Sequence, residues 1–467
     1  MYRKEIEGFI DSHREEMIED ICTLCRINSE KMPYVEGKPY GEGPFQALQA
    51  ALAMAEGYGF SIRNYDNYVG TADLNDKERQ LDILAHLDVV PAGEGWTETK
   101  PFEPVVKDGK LFGRGTADDK GPAVAALYAM RAVKELGIPL NKNVRLILGT
   151  DEECGSSDIV NYYDKEDEAP MTFSPDAEFP VINIEKGRLE GHFHASFQAS
   201  EAMPRLVKVE AGIKANVVPG KARAVVEGID LKTLEAAAEA VEKETGISFV
   251  LEGDLPVMTV TAQGEGAHAS TPQEGKNALT GLLVYLTRLP FAECPQMDMV
   301  KNLLKLFPHG DTCGKAAGIS MEDELSGALT LAFSMLTVGA DGLEGVFDSR
   351  CPICATEESV LGVVKQAMAD QGFTLENDSM IPPHHVDGNS HFVRTLLSVY
   401  EEYTGLEGSC QATGGGTYVH SLKNGVAYGA ALPGTDNRMH GADEFAVVDE
   451  LVLSAKIFAQ VIVELCS

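Results

Sequence analysis

Long apolar runs are missing from this chain. No uninterrupted stretch approaches the ~20 residues that a membrane helix needs, so no membrane partner is expected. Positive charge is scarce as well: 39 Lys and Arg face 72 Asp and Glu, giving a net charge of −33 and a pI near 4.7. Phosphate backbones and anionic lipids attract Lys and Arg, so this balance argues against nucleic acid or a membrane surface as partner. It suits metal cations, or simply a solvated surface. The opening MYRKEIEGFIDSHREEM has no apolar core of a signal peptide. Nine cysteines, odd in number and scattered, make no disulfide framework and read as free thiols in a reducing cytoplasm. Two CxxC pairs, Cys22/Cys25 and Cys351/Cys354, imitate halves of a zinc site, but they lie far apart in the chain. The first falls on an apolar helix face, and both are read as structural.

A chain of 467 residues exceeds what one core serves, so two domains, or one domain with an insertion, are expected. The first 187 residues alternate between helix and strand. Helices are expected at 3–28, 44–58 and 121–136, and strands at 60–64, 68–74, 80–87, 143–149 and 171–174. QLDILAHLDVV and NVRLILGT are short and apolar, as parallel strands buried on both faces are. From about Arg188 the texture becomes that of alternating strands, with helices at 231–245 and 276–289. The α/β pattern then returns, with helix 390–404, strand 426–432 and helix 447–464. The fold class is therefore α/β: one domain (1–187 and 382–467) with a mostly parallel sheet flanked by helices, interrupted by an inserted α+β domain (188–381).

The polar residues fall in a pattern. His86 and Asp88 lie at i and i+2 near the end of one apolar strand and point to the same side. Asp118 and Asp119 stand side by side in the loop before helix 121–136. Asp151, Glu152 and Glu153 follow strand 143–149, and Asp176 follows MTF. Open α/β sheets build their sites at such strand ends. Each motif alone has a bland reading: the Asp pair caps a helix and TDEE is a solvated loop. Together, that many carboxylates beside a histidine repel one another unless cations hold them, and metal is the simplest such cation.

The motifs AHLDVVPAGEGW, GRGTADDKGP, GTDEECGSSD, SPDAEFP, AGIKANVVPGKA, GAHASTPQEGKNA, FDSRCP, GGGTY and MHGADE occur in the order seen in PepV-type dipeptidases. The chain thus resembles that branch of the aminoacylase/carboxypeptidase di-zinc metallopeptidase superfamily along essentially its whole length. The resemblance implies two divalent ions, zinc first, with manganese or cobalt as alternatives. His86, Asp118 and Asp176 would hold one ion, and Asp118, Glu153 and His440 the other, with Asp118 as the shared bridge across a cis Asp118–Asp119 peptide. Asp88 would fix the tautomer of His86.

By the same resemblance Glu152 is the general base that activates the attacking water. His268 donates to the tetrahedral oxyanion, Asn216 contacts substrate, and Arg350 takes the substrate's terminal carboxylate. Gly414 and Gly415, in GGGTY, allow close approach of backbone to substrate. Asp119 is the candidate for the substrate ammonium. The expected activity is cytoplasmic hydrolysis of a dipeptide by a monomer, the long insertion holding enough strands and helices for two α+β units. A deacylase of N-acyl amino acids is the rival enzyme, and a catalytically inactive metal- or peptide-binding relative is the rival of another class. Val419–His420 stands where close relatives often carry Ala-Arg, which leaves side-chain preference open.

Overall fold

The computed structural model describes residues 2–467. They form two compact units. The first takes the described residues through Ile184, then His385–Gln411 and Gly416–Ser467; the second takes Glu185–His384 with Ala412–Gly415.

A mixed sheet of nine strands organises the first unit. Its four central strands are Asn143–Gly149, Arg79–His86, Met171–Ser174 and Gly425–Ala427, all paired in parallel. They are buried along nearly their whole length, as strands covered on both faces are. The flanks are antiparallel, so the sheet is less uniformly parallel than its apolar runs suggest. One flank is the hairpin of Ser61–Tyr65 and Val69–Asp73. Asp66, Asn67 and Tyr68 connect them, the first two with φ of 54° and 61° inside a turn closed by Tyr68 N–H on the Tyr65 carbonyl at 3.0 Å.

Helix Lys120–Glu135 is buried from Lys120 to Val133, and Val448–Cys466 packs beside it in the same apolar core. Pro122 sits in the first turn of the former, and Gly137 follows its end at φ +63°. The expected helix 3–28 is two helices, Arg3–Ser12 and Arg14–Cys25. They part at His13, where Ser12 Oγ and His13 Nδ1 both reach the Phe9 carbonyl at 2.8 Å and compete with the backbone ladder. The expected strand 426–432 is also split, into Gly425–Ala427 and Ala430–Ala431. His384 and His385, whose position suggests a surface loop, form a short strand in which His384 is buried. Cys22 and Cys25 lie in the core, and all nine cysteines are free thiols. Among the described residues no helix is long and apolar enough to cross a membrane.

Asp82, in the middle of strand Arg79–His86, is fully buried with no aligned hydrogen-bond partner among the described residues, Arg79 Nε standing 3.6 Å from its Oδ1. Burial pushes its carboxyl up to about 7, against the opposing charges of Arg79 and Arg145. The folded protein therefore holds this proton up to a higher pH than the unfolded chain does. Its favourable contribution is complete below the ordinary Asp pKa and is lost as pH rises through about 7. Asp82→Asn should leave the melting temperature near pH 4, close to the ordinary Asp pKa, little changed. It should raise stability near pH 8.5 by about 1–3 kcal/mol. Melting curves at the two pH values check this, and equal shifts at both would refute it.

The second unit is built on one antiparallel sheet of eight strands, with two short two-stranded ladders beside it in the chain. In order the eight strands are Ser248–Asp254, Val257–Gln263, Lys221–Glu227, Arg205–Ala211, Thr330–Val338, Gly342–Cys351, Gly187–Ser196 and Thr374–Leu375. Two four-stranded halves meet edge to edge, where Val209, Glu210 and Ala211 pair with Val338, Thr337 and Leu336. The segments that suggest two α+β units thus share one sheet. They also share one apolar core with helices Leu231–Thr245, Ala278–Thr287 and Pro295–Leu306.

Candidate metal centre

Three of the four parallel strands of the first unit deliver an acid or a histidine at or just beyond their ends. His86 is the last residue of its strand, and Asp88 follows it. Asn143–Gly149 runs into a short 3-10 turn, Glu152–Cys154. Asp176 stands two residues beyond Met171–Ser174. Asp118 lies in the loop before helix Lys120–Glu135, and His440 in the loop before Phe445–Val447.

These side chains converge. His86 Nε2 lies 2.8 Å from Asp118 Oδ1 and 3.6 Å from Asp176 Oδ2. His440 Nε2 lies 2.9 Å from the other oxygen of Asp118, Oδ2, and 3.3 Å from Glu153 Oε1. Asp118 therefore turns one oxygen to each histidine. Two groups result, His86/Asp118/Asp176 and Asp118/Glu153/His440, each with donor atoms within 4.8 Å of one another. The Asp118–Asp119 peptide is cis.

The donors suit divalent cations. His86 Nε2 and Glu153 Oε1 are buried without an aligned hydrogen-bond partner among the described residues, although carboxylate oxygens crowd the ring nitrogen. The charge state points the same way. Burial pushes the carboxyl of Asp176 up to about 7, with the Asp118 charge adding to it. Burial also raises Glu152 well above the usual carboxylate range, and Glu153 to a lesser degree. His440 is raised to about 10 by Asp118 and then Glu153. Burial opposes a charge on His86, but the carboxylates of Asp118, Asp176 and Asp88 hold its pKa well above the ordinary value. The cluster is short of positive charge, and imidazole with carboxylate is a donor set that zinc, manganese and cobalt accept.

Two residues do something other than the motifs suggest. Nδ1 of His86 meets the backbone carbonyl of Asp88 at 3.0 Å, while the Asp88 carboxylate stands 3.6 Å away. Its two oxygens instead accept the backbone N–H groups of Glu152 and Glu153, each at 3.1 Å. The Asp88 side chain thereby fixes the acidic turn, and its carbonyl fixes the ring. Asp119, the candidate for a substrate ammonium, is fully buried and its Oδ2 accepts the backbone N–H of His86 at 3.1 Å. A carboxylate with no exposed surface does not suit that role, and the structure uses it to hold His86.

Tyr418, the last letter of GGGTY, and Asp158 went unread in the sequence. The Tyr418 ring meets that of His86 edge-on at 6.2 Å, and its hydroxyl donates to Asp158 Oδ2 at 2.5 Å. The same oxygen accepts the N–H groups of Thr150 and Asp151, just before Glu152. Gly149 leaves the room for this, since a Cβ there would lie 2.1 Å from the Tyr418 hydroxyl. Tyr418 ends GGGTY and Asp158 ends GTDEECGSSD, so each lies inside a motif that carries the resemblance.

The second unit brings Asn216 and His268 together. The Asn216 carbonyl accepts from Ala269 N–H at 2.9 Å, and Val217 pairs with His268. His268 Nδ1 accepts the Ser270 N–H and lies 2.6 Å from Ser270 Oγ, so the neutral ring carries its hydrogen on Nε2. Arg350 is buried with a two-pronged bond to Asp348 (2.6 and 3.0 Å) and a third to the Gly414 carbonyl at 2.5 Å. Gly414 has a packing reason to be glycine, because a Cβ there would stand 2.7 Å from that of Ser270. Gly415 has no such neighbour, only Thr413 Oγ1 at 3.5 Å.

Strand-end carboxylates and histidines around a doubly facing aspartate define a candidate two-ion hydrolytic centre. The chain belongs to peptidase family M20/M25/M40, whose model matches residues 83–464. It is 35% identical over 461 residues to the putative dipeptidase YtjP of Bacillus subtilis, covering 97% of each chain. It is also 35% identical over 466 residues to the Beta-Ala-Xaa dipeptidase of Lactobacillus delbrueckii, again with 97% of each covered. The likeness to PepV-type dipeptidases read from the motifs thus extends along nearly the whole chain. The fold is that of human carnosine dipeptidase 1, with TM-score 0.60, 14% identity, and 100% and 99% of the two chains covered. The yeast dipeptidase Dug1p follows with TM-score 0.58, 14% identity, and 99% and 98% covered.

Proposed function

We propose that this protein is a metal-dependent dipeptidase that cleaves the peptide bond of a dipeptide with a free amino terminus. The observation that carries the reading is Asp118, whose two oxygens each face a different histidine with a further carboxylate beside it. His86, Asp118 and Asp176 would hold one divalent ion, and Asp118, Glu153 and His440 a second, zinc being the ion proposed. Ions bound there supply Lewis acidity and let a water lose its proton near neutral pH.

Glu152 is the proposed base. Asp88 holds it by the backbone N–H, while its carboxylate makes no hydrogen bond to a described residue. Burial raises its pKa, which suits a group that takes a proton from the attacking water and returns it to the leaving amine. For the oxyanion we assign His268, whose neutral ring offers Nε2–H as donor. Asn216 and Arg350 are assigned to the substrate, Arg350 to its terminal carboxylate. Asp348 orients that guanidinium and balances part of its charge.

The test assays a panel of dipeptides beside N-acetyl amino acids, using metal-stripped protein with and without added Zn²⁺ or Mn²⁺. Dipeptides should be turned over only after an ion is restored. His268→Ala should lower kcat for them by about 10²–10³-fold. Faster cleavage of N-acetyl amino acids than of any dipeptide would overturn the reading in favour of a deacylase.

A further inference from the structure

We infer that Glu444 is a positioning residue that sets the separation of Asp118 and His440, and with it the affinity of the ion those two share with Glu153. The inference rests on the two-ion reading above. Glu444 is fully buried, four residues beyond His440. Its Oε1 accepts three backbone N–H groups of one loop, those of Gly115, Ala117 and Asp118, at 3.0, 3.1 and 3.3 Å. The last is the N–H of the bridging aspartate itself. Gly115, at φ +86°, helps this loop turn its donors toward one oxygen. Glu444 also lends its own carbonyl to Gly113 N–H at 3.0 Å, so the whole loop is held to it.

The second oxygen, Oε2, receives Arg114 Nη1 at 2.5 Å, and Arg114 is itself 1% exposed. The other arm of that guanidinium, Nη2, donates to the carbonyl of Gly441 at 3.2 Å, the residue next to His440. It also reaches the carbonyls of Pro91 and Ala92, both at 3.4 Å, and the guanidinium lies over the Trp96 ring. One carboxylate therefore holds the Asp118 loop directly and the His440 loop through Arg114. The two loops come from opposite ends of the sequence. The neighbouring strands Lys110–Phe112 and Phe445–Val447 also pair antiparallel, and the Glu444 carboxylate ties the loops that continue from them.

A charged pair that is buried and fully directional does more than fill space: removing one partner leaves the other unpaired in a dry site. Outer-shell groups of this kind typically change metal affinity by about 10–100-fold when altered. Glu444→Gln keeps an oxygen for the three N–H groups but turns an amide toward Arg114, so the arm on Gly441 loses its anchor. The ion held by Asp118, Glu153 and His440 should suffer, and the one held by His86, Asp118 and Asp176 should suffer less.

The experiment titrates metal-free protein with Co²⁺ and follows visible absorption and heat, so that the two binding steps are read separately and without turnover. In Glu444→Gln one step should weaken by about 10–100-fold and the other by less than about threefold. A carboxylate that only stabilised the fold would lower the melting temperature and leave both steps alone, or weaken both alike; either result overturns the inference. If Glu444→Gln loses its circular dichroism, Arg114→Lys decides instead. It keeps the charge but not the two-armed reach, and should weaken the same single step by a smaller factor. Unchanged or equally weakened steps in Arg114→Lys overturn the proposal. A wild-type protein that binds fewer than two ions overturns the two-ion reading, and the inference with it.

Discussion

Glu152→Gln should bind its ions with wild-type affinity and turn over dipeptides about 10²–10⁴-fold more slowly. The argument is one of separation. Glu153 faces His440 and belongs to a metal group, whereas Glu152 belongs to neither group. Both are held by their backbone N–H groups on the Asp88 carboxylate, so an amide at position 152 leaves that support intact. The substitution removes only the ability to accept and return a proton. The loss should fall on kcat, with KM little changed, because a base acts in the transition state and not in binding. Near-normal turnover by a metal-replete Glu152→Gln protein would remove it as the base.

Asp118→Ala should abolish uptake of both ions and, with them, activity. A residue belonging to one group would disable that group alone; Asp118 belongs to both. Outer-shell partners already cost about 10–100-fold in metal affinity, and loss of a shared ligand costs more at each ion. The cluster also loses the carboxylate that faces both rings, so His86 and His440 should titrate closer to the ordinary histidine range in metal-free protein. Metal content by elemental analysis tests the first claim and histidine NMR titration the second. Retention of one full equivalent of metal by Asp118→Ala would show that the aspartate is not shared.

His86, Asp118, Glu153 and Asp176 were legible because they follow apolar strands or precede a helix, where periodicity and sheet topology already point. His440, and the division into two groups, came only from the resemblance to PepV-type dipeptidases. What stayed hidden is what each side chain does once packed. Spacing places Asp88 beside His86 but does not reveal that its carbonyl takes the ring while its carboxylate takes a turn from another strand. Composition makes Asp119 one more free acid, although the fold buries it under His86. Contacts such as Tyr418 with Asp158, or Glu444 with the loop before Asp118, join residues hundreds of positions apart. No local pattern carries them. The helix break at His13 was equally invisible, since side-chain competition for one carbonyl does not disturb apolar periodicity.

Gly425–Ala427 has a place in the first sheet that bears on how the protein is made. It lies between Met171–Ser174 and Val181–Glu185, strands synthesised long before it. While a ribosome is still adding those last residues, the sheet has a slot in its interior that nothing emerged can fill. The second unit's eight strands, in contrast, all lie between residues 187 and 375 and await nothing later. Its core can close during translation, whereas the unit that starts first finishes last. His440 and Glu444 arrive later still, so of the two groups the one of Asp118, Glu153 and His440 cannot form until they have been made.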